Sequence, residues 1–334
     1  MTDQRAGTQS EALSASVTRL RTMARHNQGR RYLEIGVRDG ATFFQIDMAH
    51  KVAVDPVFQF DVKARQKPGE HYYALPSDEF FRRLDEAPEL VPELAPLADD
   101  DGVVRFDLIF IDGLHTFEQT LNDFRNSLRH AHDKTLWLID DTVPSDPYSA
   151  LPDEELCASF RQQTGLSRGD WHGDVYKLVY ALHDLYPDFS YCTVTDAGNP
   201  QTLAWKGPEP RRVKPLFPGL ERLLRADYFS IFSNADAFVP IDGKDIAACL
   251  GKTLHPKDCS RQENWKRLLG RPYLTTTEIQ AVKDFNELAG HFFKMTRAWE
   301  QQLPDQPRMA ADVAELAEHF FRIMQAWSAG YSGQ

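Results

Sequence analysis

A chain of 334 residues can bury a large core and hold one catalytic domain with additions. Its 38 basic and 49 acidic residues leave a net charge of -11 without a Lys/Arg stripe to follow phosphates, which argues against nucleic acid as a partner. The four cysteines, Cys157, Cys192, Cys249 and Cys259, show no C-x-x-C pairing and no metal-ligand spacing with histidine, so free thiols in a reduced, cytoplasmic setting are expected.

The first ten residues are polar, with no apolar signal core, and no run of 18 apolar residues occurs anywhere, so no membrane crossing is expected. Leu13, Val17, Leu20 and Ala24 recur at helical spacing and predict an amphipathic helix within residues 1–30. Residues 32–40, YLEIGVRDG, then read as a buried strand feeding a glycine turn, with a helix predicted over 41–49. A second strand, KVAVDP at 51–56, is closed by Asp55. A third short strand, 72–75, runs into Ser77 and Asp78, and the Pro-rich acidic stretch 86–102 reads as a surface connection. The strongest strand, FDLIFI at 106–111, ends in Asp112, Gly113, Leu114 and His115. A helix follows over 116–131, with Phe117, Leu121, Phe124 and Leu128 on one face; TLWLI at 135–139 then ends in Asp140 and Asp141.

Strands alternating with helices over the first 140 residues imply a doubly wound, mostly parallel α/β sheet. Ligands of such sheets bind beyond the carboxyl ends of the strands, so Asp55, Ser77, Asp112, His115, Asp140 and Asp141 should share one rim. Residues 152–186 read as helical with a break at 165–173, and 189–195 with 201–205 form a closing antiparallel hairpin, which brings the strands to seven. GPEPRRVKPLFPG opens a linker and accessory region, 207–274, of which 218–274 carries no clear pattern. At the end, ELAGHFFK beginning at Glu287 returns as ELAEHFFR beginning at Glu315, an offset of 28 residues. Each copy is amphipathic, and Pro304 and Pro307 lie between them, which predicts a helical hairpin over 275–330 whose aromatic stripes form core or a homodimer seam.

The glycine turn carries the first functional argument. A dinucleotide site wants G-x-G-x-x-G, so that an anionic pyrophosphate can sit on a helix N-terminus. Here the pattern is Gly36-x-x-x-Gly40, with Glu34 before it and Asp39 inside it. Carboxylates so placed repel a diphosphate and suit a cationic sulfonium bearing an amino-acid tail. These residues resemble the first two motifs of the class I S-adenosylmethionine-dependent methyltransferases, over about residues 25–206. The resemblance implies a Rossmann-like methyltransferase fold with a C-terminal helical extension, and a cofactor site made by Glu34, Gly36, Gly40, Asp55, Ser77, Asp78 and Asp112.

The acids at the rim carry the second argument. Methyl transfer to oxygen needs the acceptor proton removed or loosened, by a general base or by a divalent cation that lowers the hydroxyl pKa. Carboxylates of Asp112, Asp140 and Asp141 converging without a cation would repel one another, and Mg2+ prefers such all-oxygen ligands. The arrangement is similar to the cation-dependent O-methyltransferases of the catechol and macrolide-sugar types, and IDGLHTFE to a bacterial branch carrying I-D-G-x-H. That resemblance implies Asp112, Asp140 and Asp141 as metal ligands and His115, with Asp112, as the catalytic pair; the second acid that many sugar enzymes carry two residues after the first is replaced here by Leu114. Trp171-His172-Gly173-Asp174-Val175-Tyr176-Lys177 recurs in similar form in the same branch, where a His, an Asp and a Lys at a helix start would read substrate or cap the helix.

The expectation is therefore an S-adenosylmethionine-dependent O-methyltransferase, assisted by Mg2+, acting on a hydroxyl of a sugar-like small molecule. Two alternatives stay open: a metal-free methyltransferase acting on nitrogen or oxygen, and a non-catalytic binding module whose working part is the helical hairpin.

Overall fold

A computed structural model describes residues 14–164, 170–255 and 261–269. Eight strands form one sheet: β1 (Arg31–Ile35), β2 (His50–Val54), β3 (Glu70–Tyr73), β4 (Leu108–Ile111), β5 (Leu136–Ile139), β6 (Phe189–Val194), β7 (Gln201–Lys206) and β8 (Pro240–Ile241). Their spatial order is β3-β2-β1-β4-β5-β7-β6-β8. The first five are mutually parallel, β7 is antiparallel to both β5 and β6, and β8 adds in parallel beside β6. The sheet thus has one strand more than the seven expected. β8 escapes a periodicity argument because two residues carry no alternation, and its Pro240, which lacks an N–H, is tolerated at a sheet edge.

The helices are α1 (Ala15–Asn27), α2 (Val62–Arg65), α3 (Ser77–Glu86), α4 (Phe117–Ser127), α5 (Glu154–Thr164), α6 (Lys177–Leu185), α7 (Leu220–Leu224), α8 (Ser230–Ser233), α9 (Ile246–Cys249) and α10 (Arg261–Leu269). Alternation along the strands sends side chains to two cores, one on each face of the sheet. Leu33, Ile35, Ile109, Ile111, Trp137 and Ile139 pack with Phe80 and Phe81 of α3, Phe124 of α4 and Leu178 to Leu182 of α6. Tyr32, Leu108, Phe110, Leu136 and Leu138 point the other way, onto Val17, Leu20 and Met23 of α1 and Ile246 of α9. Coverage on both faces explains why the central strands read as continuous apolar runs.

Three expectations are corrected. No helix forms over 41–49; one 3-10 turn, Phe43–Gln45, stands there. The segment instead buries Phe43 and Ile46 in the core on the α1 side of the sheet. The stretch 86–102 is not merely a surface connection, because Val91, Leu94 and Leu97 are buried in the core. The region after 207 joins the domain core: the Arg211 guanidinium is buried against the carbonyls of Leu182 and Tyr186, and Tyr228, Phe229, Ile231, Phe232 and Phe238 belong to the same cluster as α3 and α4. The predicted hairpin over 275–330 and its dimer seam lie outside the described residues. Among the described residues no helix is long and apolar enough to cross a membrane, and Cys157, Cys192 and Cys249 are free.

Candidate active site

The loop leaving β1 is held against β4. Gly36 has φ +84°, and a Cβ there would stand 1.8 Å from the Asp112 carbonyl oxygen. Only glycine lets the two loops pass, so the close approach is to the protein's own backbone. Gly40, at φ +80°, would push a Cβ into the Phe44 ring at 2.2 Å. Asp55 ends β2 and ties this loop down: Oδ2 accepts from the backbone N–H of Val37 (2.9 Å) and Arg38 (2.7 Å), and Oδ1 accepts from Val57 N–H at 2.8 Å. A carboxylate oxygen accepts two hydrogen bonds, so Oδ1 retains one lone pair for a hydroxyl.

Glu34 stands apart from the rim. It is 1% exposed, on the α1 side of the sheet, and its Oε2 accepts from the Tyr32 hydroxyl at 2.6 Å. Burial, joined by the charges of Asp112 and Asp39, outweighs the Tyr32 hydrogen bond and Lys51 and pushes its pKa up to about 8. Glu34 is therefore mostly protonated at neutral pH and adds no charge to the pocket, contrary to its expected part in attracting a sulfonium. Arg38 of the same loop sets a positive charge against Asp112.

Ser77 and Asp78 open α3 at the carboxyl side of β3, as expected. The Ser77 hydroxyl donates to Asp123 Oδ1 at 2.5 Å, and Gln119 Nε2 donates to the same oxygen at 3.1 Å. Asp123 was not singled out by the sequence; it is 1% exposed, and burial lifts its pKa to about 6 against those two hydrogen bonds. It hid because an acid on the inner face of a helix reads as a gap in the apolar stripe. Asp78 is exposed and accepts from Asn126 Nδ2 at 3.3 Å.

Asp112, His115 and Asp141 converge, each offering a ligand atom within 4.8 Å of the others. Asp112 is free of helix capping, since the Thr116 hydroxyl caps α4 by accepting from Gln119 N–H at 3.3 Å. Burial, with the charge of Asp141, raises the Asp112 pKa to about 6. His115 Nε2 lies 3.0 Å from Asp141 Oδ2 and 3.6 Å from Asp112 Oδ1, while Nδ1 lies 2.8 Å from the Trp171 carbonyl oxygen. Burial disfavours its charge, but Asp112 and Asp141 more than offset this and hold its pKa near 9. Both ring nitrogens therefore carry protons at neutral pH, and in this arrangement His115 is a donor between two carboxylates rather than an open base.

Asp140, expected beside Asp112 and Asp141, faces elsewhere. Its Oδ1 accepts from Asp141 N–H (2.8 Å) and Asn199 Nδ2 (2.6 Å), and its Oδ2 accepts from Gln201 Nε2 at 2.8 Å. Burial, with the charges of Asp112 and Asp141, raises its pKa well above its ordinary value. Asp141 takes φ +58°, left-handed for a non-glycine residue; both carboxylates share the Asn199 amide through Oδ1, but it is Asp141 Oδ2 that reaches His115.

Asn199 sits on the turn between β6 and β7 and gathers this edge. Its Nδ2 lies 2.6 Å from both Asp140 Oδ1 and Asp141 Oδ1, and its Oδ1 lies 3.0 Å from His172 Nε2. Sequence reasoning does not single it out, because the contact joins positions nearly sixty residues apart. In the Trp171–Lys177 segment, Asp174 Oδ1 accepts from Phe117 N–H at 2.6 Å, at the start of α4 rather than of its own helix. Lys177 Nζ is engaged by Asp174 Oδ2 and the Leu224 carbonyl, both at 2.9 Å, so neither residue is free to read substrate. Gly173, at φ +61°, lets this segment cross His115, whose carbonyl would lie 1.5 Å from a Cβ.

Residues 33–142 match the family described as a methyltransferase domain. Among solved structures, an O-methyltransferase from Bacillus cereus in complex with SAH is similar at 15% identity and a TM-score of 0.37, covering 59% of this chain and 83% of that one. The O-methyltransferase TomG from Streptomyces achromogenes, involved in tomaymycin synthesis and in complex with SAM, is similar at 18% identity and a TM-score of 0.30, covering 58% and 81%. So distant a likeness carries no argument about the reaction. No curated protein matches the chain significantly. The family match spans β1 to the end of β5, the stretch that holds Gly36, Asp55, Asp112 and Asp141.

Proposed function

We propose that this chain is an O-methyltransferase that uses S-adenosylmethionine and a divalent cation to methylate a hydroxyl of a small polar acceptor, a sugar or a natural-product glycoside. The observation that carries it is the meeting of two sites on one edge: the glycine loop after β1 touches the Asp112 carbonyl, and the same residue's carboxylate faces His115 and Asp141.

When bound, S-adenosylmethionine supplies an electrophilic methyl group on a cationic sulfur. A divalent cation, Mg2+ being the first expectation, lowers the pKa of an acceptor hydroxyl and fixes it in place. The residues present suit such an ion, since two carboxylates and an imidazole nitrogen lie within 4.8 Å of one another. Asp112 and Asp141 would hold it, with Asp140 set behind them through Asn199. The remaining lone pair of Asp55 Oδ1 would take a ribose hydroxyl, Gly36 and Gly40 would keep the loop close to the nucleoside, and Ser77 and Asp78 would lie beside the base.

A second reading is favoured by His115 itself. Its imidazolium offsets part of the charge of Asp112 and Asp141, so the acids can shape a metal-free pocket. The deciding experiment measures methyl transfer from labelled S-adenosylmethionine to a panel of sugar and glycoside hydroxyls, with and without EDTA. Loss of turnover in EDTA and in Asp141→Ala supports the cation-assisted reaction. Undiminished turnover in both establishes the metal-free one.

A further inference from the structure

A magnesium site is built from oxygen, but the side chains that meet at this edge are two carboxylates and one imidazole. The third oxygen donor expected from the sequence, Asp140, is occupied by Asn199, Gln201 and the Asp141 N–H. His115 takes its place and has the posture of a ligand. Its Nδ1 faces the Trp171 carbonyl at 2.8 Å, an acceptor that requires the proton on Nδ1 and directs Nε2 at Asp141 Oδ2 and Asp112 Oδ1. Proteins fix metal-binding imidazoles in this way, with the far ring nitrogen donating to a backbone carbonyl.

The surroundings hold that posture from independent directions. The Trp171 ring lies against the imidazole, centroids 5.3 Å apart and planes at 31°. Gly173 packs on the His115 backbone so closely that no side chain fits between them. Asp141 is aimed likewise, because Asn199 takes its Oδ1 at 2.6 Å and leaves Oδ2 for the cluster, while His172 Nε2 fixes the Asn199 amide at 3.0 Å.

We infer that His115 is a metal ligand rather than the general base, and that the site therefore prefers a first-row transition cation such as Mn2+ or Co2+ to Mg2+. A mixed nitrogen and oxygen site binds first-row divalent ions with affinity rising from Mn2+ to Co2+, and carboxylate oxygen suits Mn2+ as well, whereas Mg2+ takes its ligands from oxygen. This rests on the cation-assisted reading above and specifies its ion.

The test uses the full chain freed of metal by chelation, titrated separately with Mn2+, Co2+ and Mg2+ and followed by thermal denaturation. For Mn2+, pulsed electron paramagnetic resonance also reads nitrogen hyperfine coupling. The expected result is Mn2+ and Co2+ binding at least about tenfold tighter than Mg2+, with coupling to one imidazole nitrogen. His115→Ala should abolish the coupling and cut Mn2+ affinity by roughly ten- to a hundredfold, with little change for Mg2+. His115→Asn, which keeps a polar side chain, should do the same and guards against a misfolded alanine variant. Equal affinity for Mg2+ and Mn2+, or nitrogen coupling that survives both substitutions, overturns the inference. Failure of all three ions to bind overturns it together with the cation-assisted reading. A melting-temperature rise with S-adenosylmethionine in the metal-free protein tests the methyltransferase reading separately.

Discussion

At the scale of single residues, the rim is governed by partly buried groups that hold one another in place. Asn199 is the clearest, since one amide nitrogen restrains two carboxylates that would otherwise repel each other. Asn199→Ala should leave a folded protein whose cation affinity and turnover fall about ten- to a hundredfold. Asn199→Asp should do worse by adding a third like charge, and an alanine variant with wild-type affinity would refute the role. Glu34 makes a prediction about pH. Its pKa is raised from 4.5 to about 8, so between those values the unfolded chain releases a proton that the folded chain keeps. The folded state should therefore lose roughly 1.4 kcal/mol per pH unit across that window, with the contribution complete below it and no further loss above it. Urea unfolding at pH 5 and pH 8 should show a smaller difference in Glu34→Gln than in the wild type; equal differences would show that Glu34 does not titrate as described.

At the scale of elements, the site depends on three loops packed on one another's backbones. The β1 loop lies on the end of β4, and the segment before α6 lies on His115. Gly36→Ala combines a left-handed backbone with a Cβ 1.8 Å from a carbonyl oxygen, and should cost about 3 kcal/mol or more. Chemical denaturation measures this, and a loss under about 1 kcal/mol would mean that the loops part easily. The β6–β7 turn is anchored from α1: the buried Arg19 guanidinium donates to the Asn199 carbonyl at 2.6 Å, to Gln201 Oε1 at 2.7 Å and to the Ala197 carbonyl. Arg19→Met should destabilise by about 3 kcal/mol and, by freeing the turn that carries Asn199, weaken cation binding as well. A variant that lost stability but kept full cation affinity would separate the anchor from the site.

At the scale of the whole molecule, the parallel strands bring Gly36, Asp55, Asp112 and Asp141 to one edge of the sheet, and the acids there should discriminate between ligands by charge. S-adenosylmethionine at a hundred times its Kd should stabilise the folded chain by about 2.7 kcal/mol, seen as a rise in melting temperature, while NAD should produce none; the reverse pattern would overturn the assignment of the pocket. Much of this was legible without coordinates, because strand periodicity and the residue that ends each strand are local properties. Ile35–Gly36, Val54–Asp55, Ile111–Asp112 and Ile139–Asp140 mark the strand ends in the sequence, and the parallel order then fixes one rim. What the sequence could not decide was which way each acid turns. Asp140 and Asp141 are adjacent in the chain and share Asn199, yet only Asp141 offers an oxygen to His115; Glu34 is sealed on the α1 side of the sheet and protonated, and Asn199 and Trp171 reach the cluster from distant segments. Those outcomes come from a left-handed backbone turn, from burial that shifts a proton, and from hydrogen bonds between positions far apart in the chain. Such terms exist only once the chain has closed on itself.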